Sequence, residues 1–123
     1  MSTSIVQGTT VTYDYSLAGT DGEPFDLAGC SLAFAATDSD GTAVVSHSLV
    51  VNSFGVTTTS VGLEQGSTTG TVVQTLSAAT TTALPEGRLS WKITLTDSTG
   101  AVSIPLYGQW VVVSAERAVI RYQ

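Results

Sequence analysis

The chain is poor in the side chains that most often carry chemistry. It has one cysteine, one histidine and four basic residues in 123. Cys30 has no partner for an internal disulfide, and its setting, Cys30-Ser31-Leu32-Ala33-Phe34, predicts a small buried hydrophobe. One His and one Cys cannot supply the three or four N/S ligands of a zinc site, so a metal centre of that kind is excluded. His47 is the single imidazole available to activate a Ser or Cys nucleophile. It lies between Ser46 and Ser48 in a β-rich run and is expected to face solvent from a strand. With 10 acidic and 4 basic residues the formal net charge is -6, and no basic patch exists to collect phosphates; nucleic acid is not an expected partner. The segment 66–70 is Gly-rich but lacks the Lys of a phosphate-binding loop.

Long apolar runs are also missing. Stretches such as Val111-Val112-Val113 and Leu49-Val50-Val51 fall far short of the roughly 20 residues a membrane helix requires, so no membrane span is expected. Met1-Ser2-Thr3-Ser4 carries neither the positive charge nor the apolar run of a secretory signal, which predicts synthesis in a cytoplasm without a signal peptide. Helical spacing persists nowhere beyond a turn or two; one short turn is expected over 78–84.

What the chain has in quantity is Thr (20) and Ser (15), against only 11% charged residues, so its surface is wetted by hydroxyls. Hydrophobic residues still make up 42%, enough for one folded domain. Their clearest period is two. Val11, Tyr13, Tyr15 and Leu17 alternate with Thr10, Thr12, Asp14 and Ser16. Leu89, Trp91, Ile93 and Leu95 alternate with Arg88, Ser90, Lys92 and Thr94, and Cys30, Leu32, Phe34 and Ala36 form a weaker series. Further strands are read at 44–51, 56–63, 71–76 and 109–113, and Pro105 marks an edge strand or a bulge within 102–106. Asp21-Gly22, Asp40-Gly41, Asn52-Ser53-Phe54-Gly55, Pro85-Glu86-Gly87 and Ser98-Thr99-Gly100 supply tight turns, so most neighbouring strands should be antiparallel. The expected fold is all-β, an immunoglobulin-like antiparallel β-sandwich of about seven to eight strands over residues 1–113. Trp91 and Trp110, with Phe34, Tyr13 and Tyr15, would fill the space between its sheets, and Trp91 is expected to anchor the core.

Carboxylates are the remaining catalytic candidates. Asp21, Glu23 and Asp26 crowd one connection, and Asp38 and Asp40 another. Turn formation explains them, since Asp side chains bond the backbone two residues on. An adventitious cation site and a glycosidase-type acid pair stay open on spacing alone, but the calcium-loop likeness of Asp38-Ser39-Asp40-Gly41 stops at Thr42 and no sugar platform is evident. No catalytic, cofactor-binding or metal residue is assigned, no cofactor is expected, and the chain is read as not an enzyme.

Residues 114–123, Ser-Ala-Glu-Arg-Ala-Val-Ile-Arg-Tyr-Gln, hold two of the four basic residues. They read either as a frayed or last strand of the same domain or as a C-terminal arm that adds a strand to a neighbour. On the second reading Arg117, Val119, Ile120, Arg121 and Tyr122 form an assembly contact.

Four segments carry a resemblance. Gln7-Gly8-Thr9-Thr10-Val11-Thr12-Tyr13 is followed by Thr20-Asp21-Gly22-Glu23-Pro24-Phe25-Asp26-Leu27-Ala28-Gly29-Cys30-Ser31-Leu32. Then come Leu84-Pro85-Glu86-Gly87-Arg88-Leu89-Ser90-Trp91-Lys92-Ile93-Thr94-Leu95-Thr96-Asp97 and an ending through Ser98-Thr99-Gly100-Ala101-Val102 to Tyr107-Gly108-Gln109-Trp110-Val111-Val112-Val113. In this order they resemble the immunoglobulin-like N-terminal module of phage baseplate upper proteins. Members of that family continue into a long part that contacts the receptor-binding protein, whereas this sequence stops ten residues after the last strand, so the module alone is expected. Residues 52–75 depart from the pattern in being richer in Thr and Gly.

The resemblance implies a non-enzymatic structural component of a tailed bacteriophage virion, on tail, baseplate or capsid surface. Its implied partners are other virion proteins, with a homo-oligomer or repeated copies on the particle. The alternative is a module whose end loops bind a host glycan or protein.

Overall fold

The computed structural model describes residues 2–18 and 22–114. Nine strands and one short helix form in the order β1 (Ser2–Val6), β2 (Val11–Ser16), β3 (Ser31–Thr37), β4 (Ala43–Val51), β5 (Thr57–Val61), β6 (Leu63–Gln65), β7 (Thr71–Leu76), α1 (Ala78–Ala83), β8 (Gly87–Thr96) and β9 (Val102–Val113). They build two sheets, one of six strands ordered β1-β9-β8-β3-β4-β5 and one of three ordered β2-β7-β6. That is the strand order of a variable-type immunoglobulin sandwich, with the first strand moved across to pair with the last. Every pairing of these strands is antiparallel except β1 with β9, which is parallel.

Alternation in the sequence becomes alternation in burial. Along β3 the inward series Leu32, Phe34 and Ala36 is buried, as are Leu89, Ile93 and Leu95 on β8. Tyr15 and Leu17 face them from the small sheet, with Val72 and Leu76 of β7. Cys30 is buried as expected, and burial pushes its thiol pKa up.

Trp91 corrects one expectation. It points inward but is only partly buried, and Trp110, 1% exposed, is the tryptophan at the centre. Trp110 stacks on Phe34 at 5.3 Å between centroids and on Tyr13 at 5.8 Å. An antibody-type domain would tie the counterparts of β2 and β8 together by a disulfide. Here rings span that gap, with Tyr15 of β2 5.5 Å from Trp91 of β8.

The stretch 56–63, expected as one strand, is two. β5 pairs with β4 in the large sheet, whereas β6 pairs with β7 in the small one. The switch falls at Gly62, whose φ of +74° lies where L side chains are strained. The His47 imidazole occupies the space a Cβ would take there. β1 was not anticipated, because Ser-Thr-Ser-Ile-Val offers only Ile5 to the core and is held by its pairing with β9. The last strand begins at Val102 rather than at 109; Pro105 sits inside a register shift opposite Ile93 to Leu95. The expected turn over 78–84 is α1, capped by Ser77, whose hydroxyl accepts from the Thr80 N–H at 3.2 Å.

Four substitutions test this packing by urea denaturation. Trp110→Ala should cost about 3 to 5 kcal/mol, and Trp91→Ala a smaller loss of about 1 to 3 kcal/mol; equal losses would contradict the ranking. Gly62→Ala should destabilise by more than about 1 kcal/mol, and should cost less in a His47→Ala background, where the space is vacated.

Candidate interaction surface

Of the carboxylates singled out in the sequence, Asp26 and Asp38 build turns. Asp38 Oδ1 accepts from the N–H groups of Asp40 (2.9 Å) and Thr42 (3.0 Å). Asp97 Oδ1 accepts in the same way from Thr99 (2.9 Å) and Ala101 (3.0 Å), and Asn52 Oδ1 from Phe54 (2.9 Å) and Val56 (3.0 Å). In all three the residue three places on is a glycine with φ between 81° and 89°, donating its N–H back to the carbonyl of the first residue. The β3–β4, β4–β5 and β8–β9 hairpins thus close with one turn used three times. Its N–H groups hold the Asp97 carboxyl below the usual range, together with the Thr99 hydroxyl, which is the largest cause. Asp26 Oδ1 accepts from the Ala28 N–H at 3.0 Å, and Asp21 lies outside the described residues. Among the described residues no group of three or more His, Cys, Asp or Glu side chains is placed to hold a metal ion.

His47 does not face solvent, contrary to expectation. Its ring lies on the inward face of β4 with Val45 and Leu49, partly buried and 6.0 Å from the Phe34 ring. Gln74 of β7 is fully buried between two partners: Tyr15 donates its hydroxyl to Gln74 Oε1 at 2.7 Å, and Gln74 Nε2 lies 2.9 Å from His47 Nδ1. Because Oε1 already accepts from Tyr15, the amide nitrogen donates, and Nδ1 must accept with the ring proton on Nε2. The network therefore suits a neutral imidazole, and burial lowers the His47 pKa from 6.5. Burial also raises the pKa values of Tyr13 and Tyr15. These groups tie the two sheets together.

The surface most open to a partner lies at β9. β1 covers the flank of β9 only from Gln109 to Val113, so among the described residues no strand pairs with that flank over 102–108. Beside this free edge the sandwich opens into a cleft of about 340 Å³ lined by Tyr13, Tyr15, Trp91, Leu106, Tyr107 and Trp110, with Asp14 at its rim. Gly108 explains how Trp91 reaches it. A Cβ there would come within 2.8 Å of the indole, so the missing side chain lets the ring lie across β9 toward the edge. On the outer face of the sheet a second, open groove of about 530 Å³ runs between Thr37, Trp91, Lys92, Tyr107 and Gln109. Tyr107 borders both and is 78% exposed, with Val102 and Ile104 also exposed along the same strand.

In the sequence the aromatic residues read as core alone, which hides the cleft; Pro105 and Gly108 are the signals of it there. The contact residues expected at Arg117, Val119, Ile120, Arg121 and Tyr122 lie outside the described residues.

The His47 shift fixes a pH response. With the folded pKa below 6.5, the unfolded chain binds the proton more readily, so the stability contributed by neutral His47 is present above 6.5 and is lost as pH falls through the folded value. Melting temperature should therefore drop between pH 7 and 5, and His47→Gln should flatten that slope; an unchanged slope would show that His47 does not set it.

No family model matches the chain, and no curated protein matches it significantly.

Proposed function

We propose that this chain is a non-enzymatic structural component of a tailed bacteriophage virion, an immunoglobulin-like module carried in repeated copies on the tail, baseplate or capsid surface. The observation that carries the reading is where the family-like segments fall in the fold. The 20–32 segment leads into β3 through the Asp26 turn, 84–97 opens and fills β8, and the Asp97 turn delivers the chain to β9. These motifs follow one sandwich from its second connection to its last strand, instead of scattering over unrelated elements. Other virion proteins are the proposed partners, after synthesis in the host cytoplasm. The exposed edge and aromatic cleft at β9 give such a module a place to engage another chain.

The outer groove around Lys92 and Tyr107 favours a second reading, a host-surface binding module that takes a glycan or protein on the sheet face rather than on the end loops. Mass spectrometry of purified particles separates the readings from incidental expression. The structural role predicts a fixed stoichiometric ratio to the major virion proteins, and a protein abundant in lysate but absent from washed particles would overturn it. Loss of particle adsorption to host cells in Tyr107→Ala, with the copy number unchanged, would favour the second reading.

A further inference from the structure

Among the described residues nothing pairs with the flank of β9 over 102–108, and a cleft walled by rings lies directly beside it, with the carboxylate of Asp14 at the rim. Such an edge is completed by an extended segment that pairs with its N–H and C=O groups and inserts alternate side chains into the cleft. The occupant that fits is β-branched or aromatic at alternate positions, and basic overall to suit a chain of net charge -6. The sequence 117–122, Arg-Ala-Val-Ile-Arg-Tyr, has that composition: in an extended strand Ile120 and Tyr122 would share one face, and Arg117, Val119 and Arg121 the other. It also carries two of the four basic residues of a chain of net charge -6.

We infer that the 102–108 edge of β9 and its aromatic cleft receive residues 115–123 of a second copy of this chain. A second copy is favoured over the same copy by the path of the strand. The chain leaves β9 at Val113, where β1 already occupies the flank and Gln7 donates its N–H to the Val113 carbonyl at 2.9 Å. The free portion of the same edge lies at the other end of the strand, beyond β1. In the complex Ile120 and Tyr122 enter the cleft over Trp91 and Tyr13, while Arg117 and Arg121 lie on the face turned away from it. One copy gives its tail and the next gives its edge, so the contact is heterologous and propagates into a ring or a linear array.

The inference rests on reading the chain as an assembling module, but the two fail separately, because self-association is measured on the isolated protein and incorporation on particles. Sedimentation velocity of the full chain should show concentration-dependent oligomers. A tail variant, Ile120→Asp with Arg121→Glu, and an edge variant, Asp14→Arg with Tyr107→Arg at two exposed positions, should each remain folded by circular dichroism and sediment as monomers. Their equimolar mixture should give a 1:1 heterodimer and nothing larger, because one intact tail meets one intact edge. A monomeric full chain, either variant still forming oligomers, or a mixture that stays monomeric would overturn the inference. So would loss of fold in the tail variant, which would place the segment in its own domain.

Discussion

Phe34 sits where the two sheets meet, with ring contacts to Trp110 at 5.3 Å, Trp91 at 5.7 Å and Tyr15 at 6.5 Å. Through it β3, β8 and β9 of the large sheet are joined to β2 of the small one. Ring pairs of this kind contribute about 0.5 to 1.5 kcal/mol beyond the area they bury. In a sandwich without a cross-sheet disulfide, that cluster is the constraint on which sheet spacing, the buried Gln74 network and the shape of the β9 cleft all depend. The rings are placed by alternation on four different strands, so each strand's register is also a condition for the cluster.

Much of this was legible in the sequence where one strand face is dry and the other wet. Val11 to Leu17 and Leu89 to Leu95 announced their faces because burial selects every second residue. β5 did not: its Thr-rich run is almost wholly exposed, and only the step at Gly62 reveals that the chain changes sheets there. β1 was illegible for a related reason, since its stability comes from parallel pairing with a strand about a hundred residues away, which no local pattern encodes. His47 was misread because the residue that draws it inward, Gln74, lies on the opposite sheet. The interaction surface was hidden for the same cause. An edge is defined by where a neighbouring strand stops, and β1 stops pairing at the level of Gln109.

The small and large sheets differ in what connects them. α1 and the β1–β2 turn are tied by Thr81, which is fully buried, donates its hydroxyl to the Thr9 carbonyl at 2.7 Å and accepts from the Gly8 N–H at 3.1 Å. Gln7 adds a bond from its side-chain amide to the Leu84 carbonyl at 2.6 Å. Polar groups thus close this end of the sandwich, while rings close the middle. The cleft near Leu106 is walled by rings of that middle layer, Tyr13, Tyr15, Trp91 and Trp110.

The three hairpin turns that begin at Asp38, Asn52 and Asp97 ask their first side chain only for an oxygen that accepts two backbone N–H groups. Carboxylate and carboxamide serve that purpose equally, so the position is indifferent to charge while strict about shape. Spontaneous deamidation of Asn52 to an aspartate would therefore leave the hairpin as it is and make the surface one charge more acidic. That exchange would register in isoelectric focusing and not in the fold.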